Sequence, residues 1–140
     1  MKLVSIIVFA AVMATACNNG DQAYKQPELI NSNELTDIRW IDSAKNLGKI
    51  VEGQMVDVIF RFKNVGKKPL VIRSVHPACG CTIANPPAEP IAPGAEGEIK
   101  ATFNSKGRAG TNHKEIDVEA NTNGSQTHKV TFDVEVTPKP

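Results

Sequence analysis

The feature that most constrains the fold is an alternation of apolar and polar residues that recurs through most of the chain. In residues 55–64, Val56, Val58, Phe60 and Phe62 fall on one face, while most of the intervening residues are charged or polar. Successive side chains of a β-strand project to opposite faces, so this pattern indicates a strand with one buried and one solvated face.

The same alternation returns in four further segments, separated by turn signals rich in Gly, Pro and Asn-Gly. These segments are residues 70–75, 97–103, 116–120 and 130–136. No stretch after residue 37 offers an amphipathic helix of useful length. Short strands over about 100 residues predict an all-β domain, an immunoglobulin-like antiparallel two-sheet sandwich of about seven strands. A closed barrel is the alternative.

Five aromatic residues lie in or beside these strands on the apolar phase, and we predict that they supply the bulk of the core. They are Trp40, Phe60, Phe62, Phe103 and Phe132. An exposed aromatic platform for sugars or bases stays open for Trp40 alone.

The N-terminus has the pattern of an export signal. Lys2 precedes the apolar run 3–13, and small residues then lead into Cys17. The run is too short for a transmembrane helix, which needs about 20 residues. A cysteine after Ala-Thr-Ala resembles a bacterial lipobox, and we predict cleavage before Cys17 and lipid attachment to it. An ordinary secretory peptide with an incidental cysteine is the alternative.

These signals divide the chain into three parts. Residues 1–16 are predicted to be a lipoprotein-type signal peptide, residues 17–34 the lipidated cysteine and a flexible polar tether, and residues 35–140 the folded domain. The predicted location is the bacterial cell envelope, at the periplasmic face or the cell surface. A lipid on Cys17 would anchor the protein to the membrane without spanning it.

The charge balance excludes one class of partner. The chain has 16 basic and 15 acidic residues. Removal of residues 1–16 takes away Lys2 alone and leaves 15 of each sign. A neutral chain without a basic stripe argues against a nucleic-acid-binding surface, which must displace counterions from phosphates.

Several motifs occur in an order that resembles a known family. They lie at residues 46–50, 62–70, 79–82, 90–94, 97–99 and 107–110. Over roughly residues 38 to 136 the chain resembles the domain of unknown function 1573 family, exported proteins common in Bacteroidetes-type bacteria and often lipoproteins. The resemblance implies an immunoglobulin-like sandwich related to domains of sperm-protein and cilium-associated type, which generally serve as binding or scaffolding modules. It implies no activity.

The Cys79-Gly80-Cys81 motif is the most prominent candidate site. Export would place both cysteines in a disulfide-permissive compartment, and Cys17 would be occupied by lipid. A bridge across one residue requires a Cα separation of about 4.4–6.8 Å, and Gly80 gives the backbone the greatest freedom to reach it. A structural turn, with or without the bridge, is the first interpretation.

A soft-metal site is the second interpretation of this loop. His76, Cys79 and Cys81 offer one imidazole and two thiolates, which suit monovalent copper or zinc. A fourth ligand would come from His113 or His128, because the second Cys pair of a structural zinc site is absent. A thiol-redox role is a third interpretation, although the usual Cys-x-x-Cys at a helix N-terminus is missing.

The sequence shows no catalytic constellation, phosphate-binding loop or paired carboxylates, so we predict that the protein is not an enzyme and needs no cofactor. The leading hypothesis is a lipid-anchored envelope module that binds or scaffolds a protein or glycan. The alternative is a periplasmic copper- or zinc-binding protein that uses the loop containing His76, Cys79 and Cys81.

Overall fold

A computed structural model describes residues 33–140; the predicted signal peptide, Cys17 and most of the predicted tether lie outside this range. The described chain consists of strands and loops. The strands are β1 (Ile38–Trp40), β2 (Ala44–Val51), β3 (Met55–Asn64), β4 (Ile72–Pro77), β5 (Thr82–Asn85), β6 (Glu96–Asn104), β7 (Gly110–Ala120) and β8 (Thr127–Thr137). Within residues 33–140 there is no helix long and apolar enough to cross a membrane.

The eight strands form two four-stranded sheets. The first sheet has the order β1-β3-β6-β5, and the second has the order β2-β8-β7-β4. Each sheet turns its apolar side chains toward the other, and buried residues from both sheets form one hydrophobic cluster. The predicted immunoglobulin-like sandwich is therefore confirmed, and the barrel alternative is wrong.

The first strand is broken, which the alternation in the sequence did not reveal. The chain leaves the first sheet after Trp40 and joins the second sheet at Ala44, where β2 pairs in parallel with β8. The second sheet is therefore mixed, while the other strand pairs are antiparallel. When β1 and β2 are counted as two halves of one strand, seven strands remain, the number typical of an immunoglobulin-like domain.

The predicted aromatic core is confirmed. Phe60, Phe62, Phe103 and Phe132 have no exposed surface. Trp40 is half-buried and meets the Phe62 ring edge-on, with the ring centroids 5.5 Å apart. Trp40 therefore packs as a core residue rather than standing free as a platform. Its indole N–H is the one buried side-chain nitrogen or oxygen among residues 33–140 that lacks a hydrogen-bond partner.

Buried polar side chains fasten the N-terminal segment to one end of the sandwich. Asn64 Oδ1 accepts hydrogen bonds from Thr36 Oγ1 at 3.0 Å and from the Gly66 amide at 3.1 Å. Asn64 Nδ2 donates to the carbonyl oxygens of Lys68 and Ile91 at 2.8 and 2.9 Å. All four hydrogen-bonding positions of this buried amide are thus occupied.

Asn121 makes a second fastening on the same end. Its Nδ2 donates to the carbonyl oxygens of Glu34 and Pro69, and its Oδ1 accepts from the Val71 amide at 2.7 Å. A Cβ at Gly66 would lie 2.5 Å from the Asp37 amide nitrogen, so the chain passes here too closely for a side chain. Residues 33–37 are therefore held firmly against the domain.

The sandwich has two distinct ends. We call the end that contains Asn64, Asn121 and the incoming residue 33 the tether end. The register of β3 with β6, from Lys63 opposite Glu96 to Met55 opposite Asn104, places the other end about 25–30 Å away. We call that other end, where β3 begins and β6 finishes, the distal end.

Candidate functional site

Cys79 and Cys81 are joined by a disulfide bond, with their Cα atoms 5.3 Å apart. This Cα separation falls within the range of about 4.4–6.8 Å that a disulfide bond requires. The bridge lies in the connection between β4 and β5, where the chain crosses from the second sheet to the first near the distal end. The sequence motif therefore marks a crossover corner of the sandwich.

Hydrogen bonds tie this corner to both sheets. The Ala78 amide donates to the Glu115 carbonyl on β7 at 3.0 Å, and the Asn104 amide on β6 donates to the Cys81 carbonyl at 2.8 Å. Cys81 is only 8% exposed and belongs to the core, while Cys79 is half-buried against it. This packing favours the structural-turn interpretation of the motif.

The three ligands of the metal hypothesis are not brought together. Each sulfur is bonded to the other, which leaves no thiolate for a metal in this state. His76 is exposed on the outer face of β4, opposite Asp117. Among residues 33–140 no group of three or more His, Cys, Asp or Glu side chains is arranged to hold a metal ion.

Neither candidate for the fourth ligand lies beside His76. His128 pairs with Val118, a core residue, so it lies on the inner side of the second sheet, where its Nε2 hydrogen-bonds Thr122 Oγ1 at 2.8 Å. His113 is on the outer face of β7, four residues before Asp117, which is the residue opposite His76. Four residues correspond to about 13 Å along a strand, so the two histidines are far apart. The metal hypothesis therefore finds no support in the arrangement of these histidines.

His113 instead belongs to an exposed charge network. Its Nδ1 donates to Asp133 Oδ1 at 2.6 Å, and its Nε2 lies 3.7 Å from Glu115 Oε1. The Asp133 hydrogen bond is the main cause that raises the pKa of His113 above its usual value. Lys129 Nζ contacts Glu115 Oε2 at 2.7 Å and completes the network. These groups are solvated surface residues, as expected for an outer sheet face.

The disulfide is expected to contribute modestly to stability. It closes a ring of one intervening residue, and loop-closure entropy for so small a ring corresponds to about 1–2 kcal/mol. Intact mass before and after alkylation first establishes whether Cys79 and Cys81 are bridged. Urea unfolding with and without a thiol-free reductant then measures how much the bridge contributes to the free energy of unfolding. Complete unfolding on reduction would contradict this expectation.

A free strand edge lies next to the disulfide corner. Within the described chain no strand pairs with the outer edge of β5. Cys81 is hydrogen-bonded to β6, and the alternation of an antiparallel ladder directs the backbone groups of Ala84 away from β6. An open groove of about 450 Å³ lies on the outer face of the first sheet, over β5 and β6, and is lined in part by Ile83, Pro86 and Lys100. Ile83 is 64% exposed there.

Two further residues near the distal end, Lys114 and Arg108, were not predicted from the sequence as candidate site residues. Lys114 occupies an inward-facing position of β7, and its Nζ lies 5.9 Å from the centroid of the Phe103 ring. Burial, together with the nearby charge of Arg108, lowers the pKa of Lys114. Extending the alternation of residues 116–120 backwards by two residues would have placed Lys114 on the inner face.

Comparison with solved structures shows the fold. A protein of unknown function from Porphyromonas gingivalis W83 superposes with a TM-score of 0.64 at 16% identity, over 79% of this chain and 51% of that one. The ASH/PapD-like domain 7 of human CEP192 matches with a TM-score of 0.53 at 12% identity, over 75% and 87%. The secreted serine protease VesC from Vibrio cholerae matches at 0.55 and 12%, over 75% of this chain and 24% of the protease.

The chain thus spans about half the length of the Porphyromonas protein. No curated protein shows significant sequence similarity to it. The family described as "Protein of unknown function (DUF1573)" matches residues 38–136, which is most of the chain and nearly all of the sandwich. The protein therefore belongs to the DUF1573 family.

Proposed function

We propose that this chain is a non-catalytic binding module of the bacterial envelope, anchored by lipid on Cys17, that engages a protein or a glycan. One observation carries the proposal. β5 follows the disulfide corner directly and has both an unpaired edge and an open groove on its outer face, shared with β6. An unpaired edge offers backbone donors and acceptors to an extended partner segment.

The fold neighbours are compatible with this proposal. The CEP192 domain is an ASH/PapD-like domain, and the match covers 75% of this chain and 87% of that domain. The likeness to VesC extends to only 24% of that protease and supports the fold alone. A binding role is therefore inferred from the exposed surfaces of this chain rather than transferred from a neighbour.

The anchor is tested by a Cys17→Ser variant. The wild type is expected in the membrane fraction with incorporated radiolabelled fatty acid, because each buried methylene contributes about 0.8 kcal/mol to membrane association. The variant is expected to lose both the label and the membrane association. If the wild type incorporates no label, the lipid anchor is wrong.

The binding role is tested by site-specific photo-crosslinking of the full chain in intact cells. A photoreactive amino acid at Ile83, in the groove over β5 and β6, is expected to capture an envelope protein or glycan. The same group at Lys67, in the exposed turn of the tether end, serves as the matched control and is expected to give no such product. Absence of a product at Ile83, or identical products at both positions, would refute the proposed surface.

A further inference from the structure

A charged side chain occupies a core-facing position near the distal end. Along β7 the inward positions from residue 112 onward are Asn112, Lys114, Ile116, Val118 and Ala120, and all of them except Lys114 are buried. Lys114 lies between the buried Asn112 and Ile116, opposite the fully buried Phe132. A lysine here must run its aliphatic stem along the core and bring its ammonium group out at the mouth between the sheets. A charge at such a position breaks the local pattern, as functional sites often do.

Lys114 lacks the ion pair that many lysines of this domain form. Five lysines of the described chain lie within 3.2 Å of a carboxylate oxygen. Neither Lys114 nor Arg108 forms an ion pair with any carboxylate of residues 33–140. Lys114 is half-buried, and Asn112, two residues earlier on the same face of β7, hydrogen-bonds the Arg108 carbonyl, so the segment that carries a second cation lies nearby. The Glu52 carboxylate accepts a hydrogen bond from the Gly107 amide at 2.8 Å but forms no ion pair with either cation. Two neighbouring cations without an ion pair favour the binding of an anion.

The backbone beside Lys114 is already ordered. Asn112 Nδ2 donates to the Arg108 carbonyl at 2.7 Å and to the Gly110 carbonyl at 3.0 Å. The Arg108 amide donates to the Ser105 carbonyl at 3.1 Å. These bonds hold the segment that carries Arg108 against the start of β7, so little ordering is required when a ligand binds. The Phe103 ring forms an apolar wall under the Lys114 ammonium group.

We infer that Lys114 and Arg108 form an anion-binding site at the distal mouth that receives the carboxylates of an acidic polypeptide segment. This inference rests on the proposed binding function and specifies the chemistry of the partner. Both cations donate charge-assisted hydrogen bonds to carboxylates. A polypeptide partner is favoured over an anionic membrane. The proposed anchor at Cys17 would hold the tether end toward the membrane, and Lys114 and Arg108 lie toward the distal end, which would then face away from it.

Fluorescence anisotropy with a labelled oligo-glutamate peptide and the full chain tests the inference. Saturable binding is expected at low salt and should weaken as salt is added, because surface charges are screened. Lys114→Met and Arg108→Gln are each expected to weaken binding about tenfold. Lys67→Gln removes the same charge from an exposed position at the tether end and is expected to leave the affinity unchanged.

A stability measurement separates a binding role from a structural one. Lys114→Met keeps a long flexible stem in the core and removes the repulsion from Arg108, so its melting temperature is expected to equal or exceed that of the wild type. A variant that melts earlier and binds the peptide normally would assign Lys114 a structural role and overturn the inference.

Three other results would overturn it. The first is no saturable binding of the peptide by the wild type at low salt. The second is an equal loss of affinity in the Lys67→Gln control, which would indicate an effect of net charge alone. The third is binding to phosphatidylglycerol vesicles with the same dependence on Lys114, which would assign the site to a membrane surface. Crosslinking at Ile83 can succeed in each of these cases, so failure here is distinguishable from failure of the proposed function.

Discussion

Replacement of Asn64 by alanine is expected to lower the free energy of unfolding by about 3–4 kcal/mol. The buried Asn64 amide makes four hydrogen bonds at the tether end. The Ile91 carbonyl keeps a second partner in the Leu70 amide. The Thr36 hydroxyl, the Gly66 amide and the Lys68 carbonyl lose theirs. The Thr36 hydroxyl and any remaining part of the network that water cannot reach are buried, and a buried polar group without a partner costs about 1–3 kcal/mol.

Urea unfolding of the full chain measures this effect. Asn85→Ala is the matched control, since Asn85 is exposed on β5, and it is expected to change stability by less than about 0.5 kcal/mol. A loss below about 1 kcal/mol in Asn64→Ala would mean that water replaces the side chain and that the buried network is not a main determinant of stability.

Replacement of Phe132 by alanine is expected to cost about 3–5 kcal/mol, the range for removal of a buried aromatic ring. Phe132 has no exposed surface, lies on the inner strand β8, and meets the Phe103 ring edge-on at 5.6 Å. Truncation leaves a cavity between two sheets whose backbone ladders prevent collapse, and also removes the ring-ring contact.

Two further variants make the measurement specific. Phe132→Leu retains much of the side-chain volume and is expected to lose clearly less than the alanine variant. Ile83→Ala removes an exposed apolar side chain and is expected to have little effect, within about 0.5 kcal/mol. Similar losses from Ile83→Ala and Phe132→Ala would contradict the assignment of Phe132 to the core.

The predictability of each strand depended on how strongly one of its faces is buried. β3, β6 and β8 alternate clearly because their inner faces are buried against the opposite sheet. β2 has no fully buried residue and contains an irregularity between Asn46 and Lys49, so its pattern is weak. β5 has four residues, and Ile83 points outward, against the usual phase. Pairing direction is a tertiary property, which explains why the parallel β2–β8 pair was not predicted.

The candidate site was predictable only in part. The bridge between Cys79 and Cys81 was one of the states that local spacing and the predicted compartment allowed. The proposed contribution of His76 required side chains from separate strands to converge, and spacing along one chain cannot establish that. Lys114 was missed because Asn112 and Lys114 interrupt the apolar phase, so the strand that begins at Gly110 was read from residue 116 onward.

The parallel pairing of β2 with β8 has a mechanical consequence. A pull on residue 33 and an opposite pull on Thr137 act at opposite ends of the sandwich, and β2 and β8 then slide past each other along their length. In this shear geometry the ladder hydrogen bonds carry the load together, whereas a hairpin pulled from its open end breaks one bond at a time. A domain with this arrangement resists being drawn out by a pull applied between its first strand and its last.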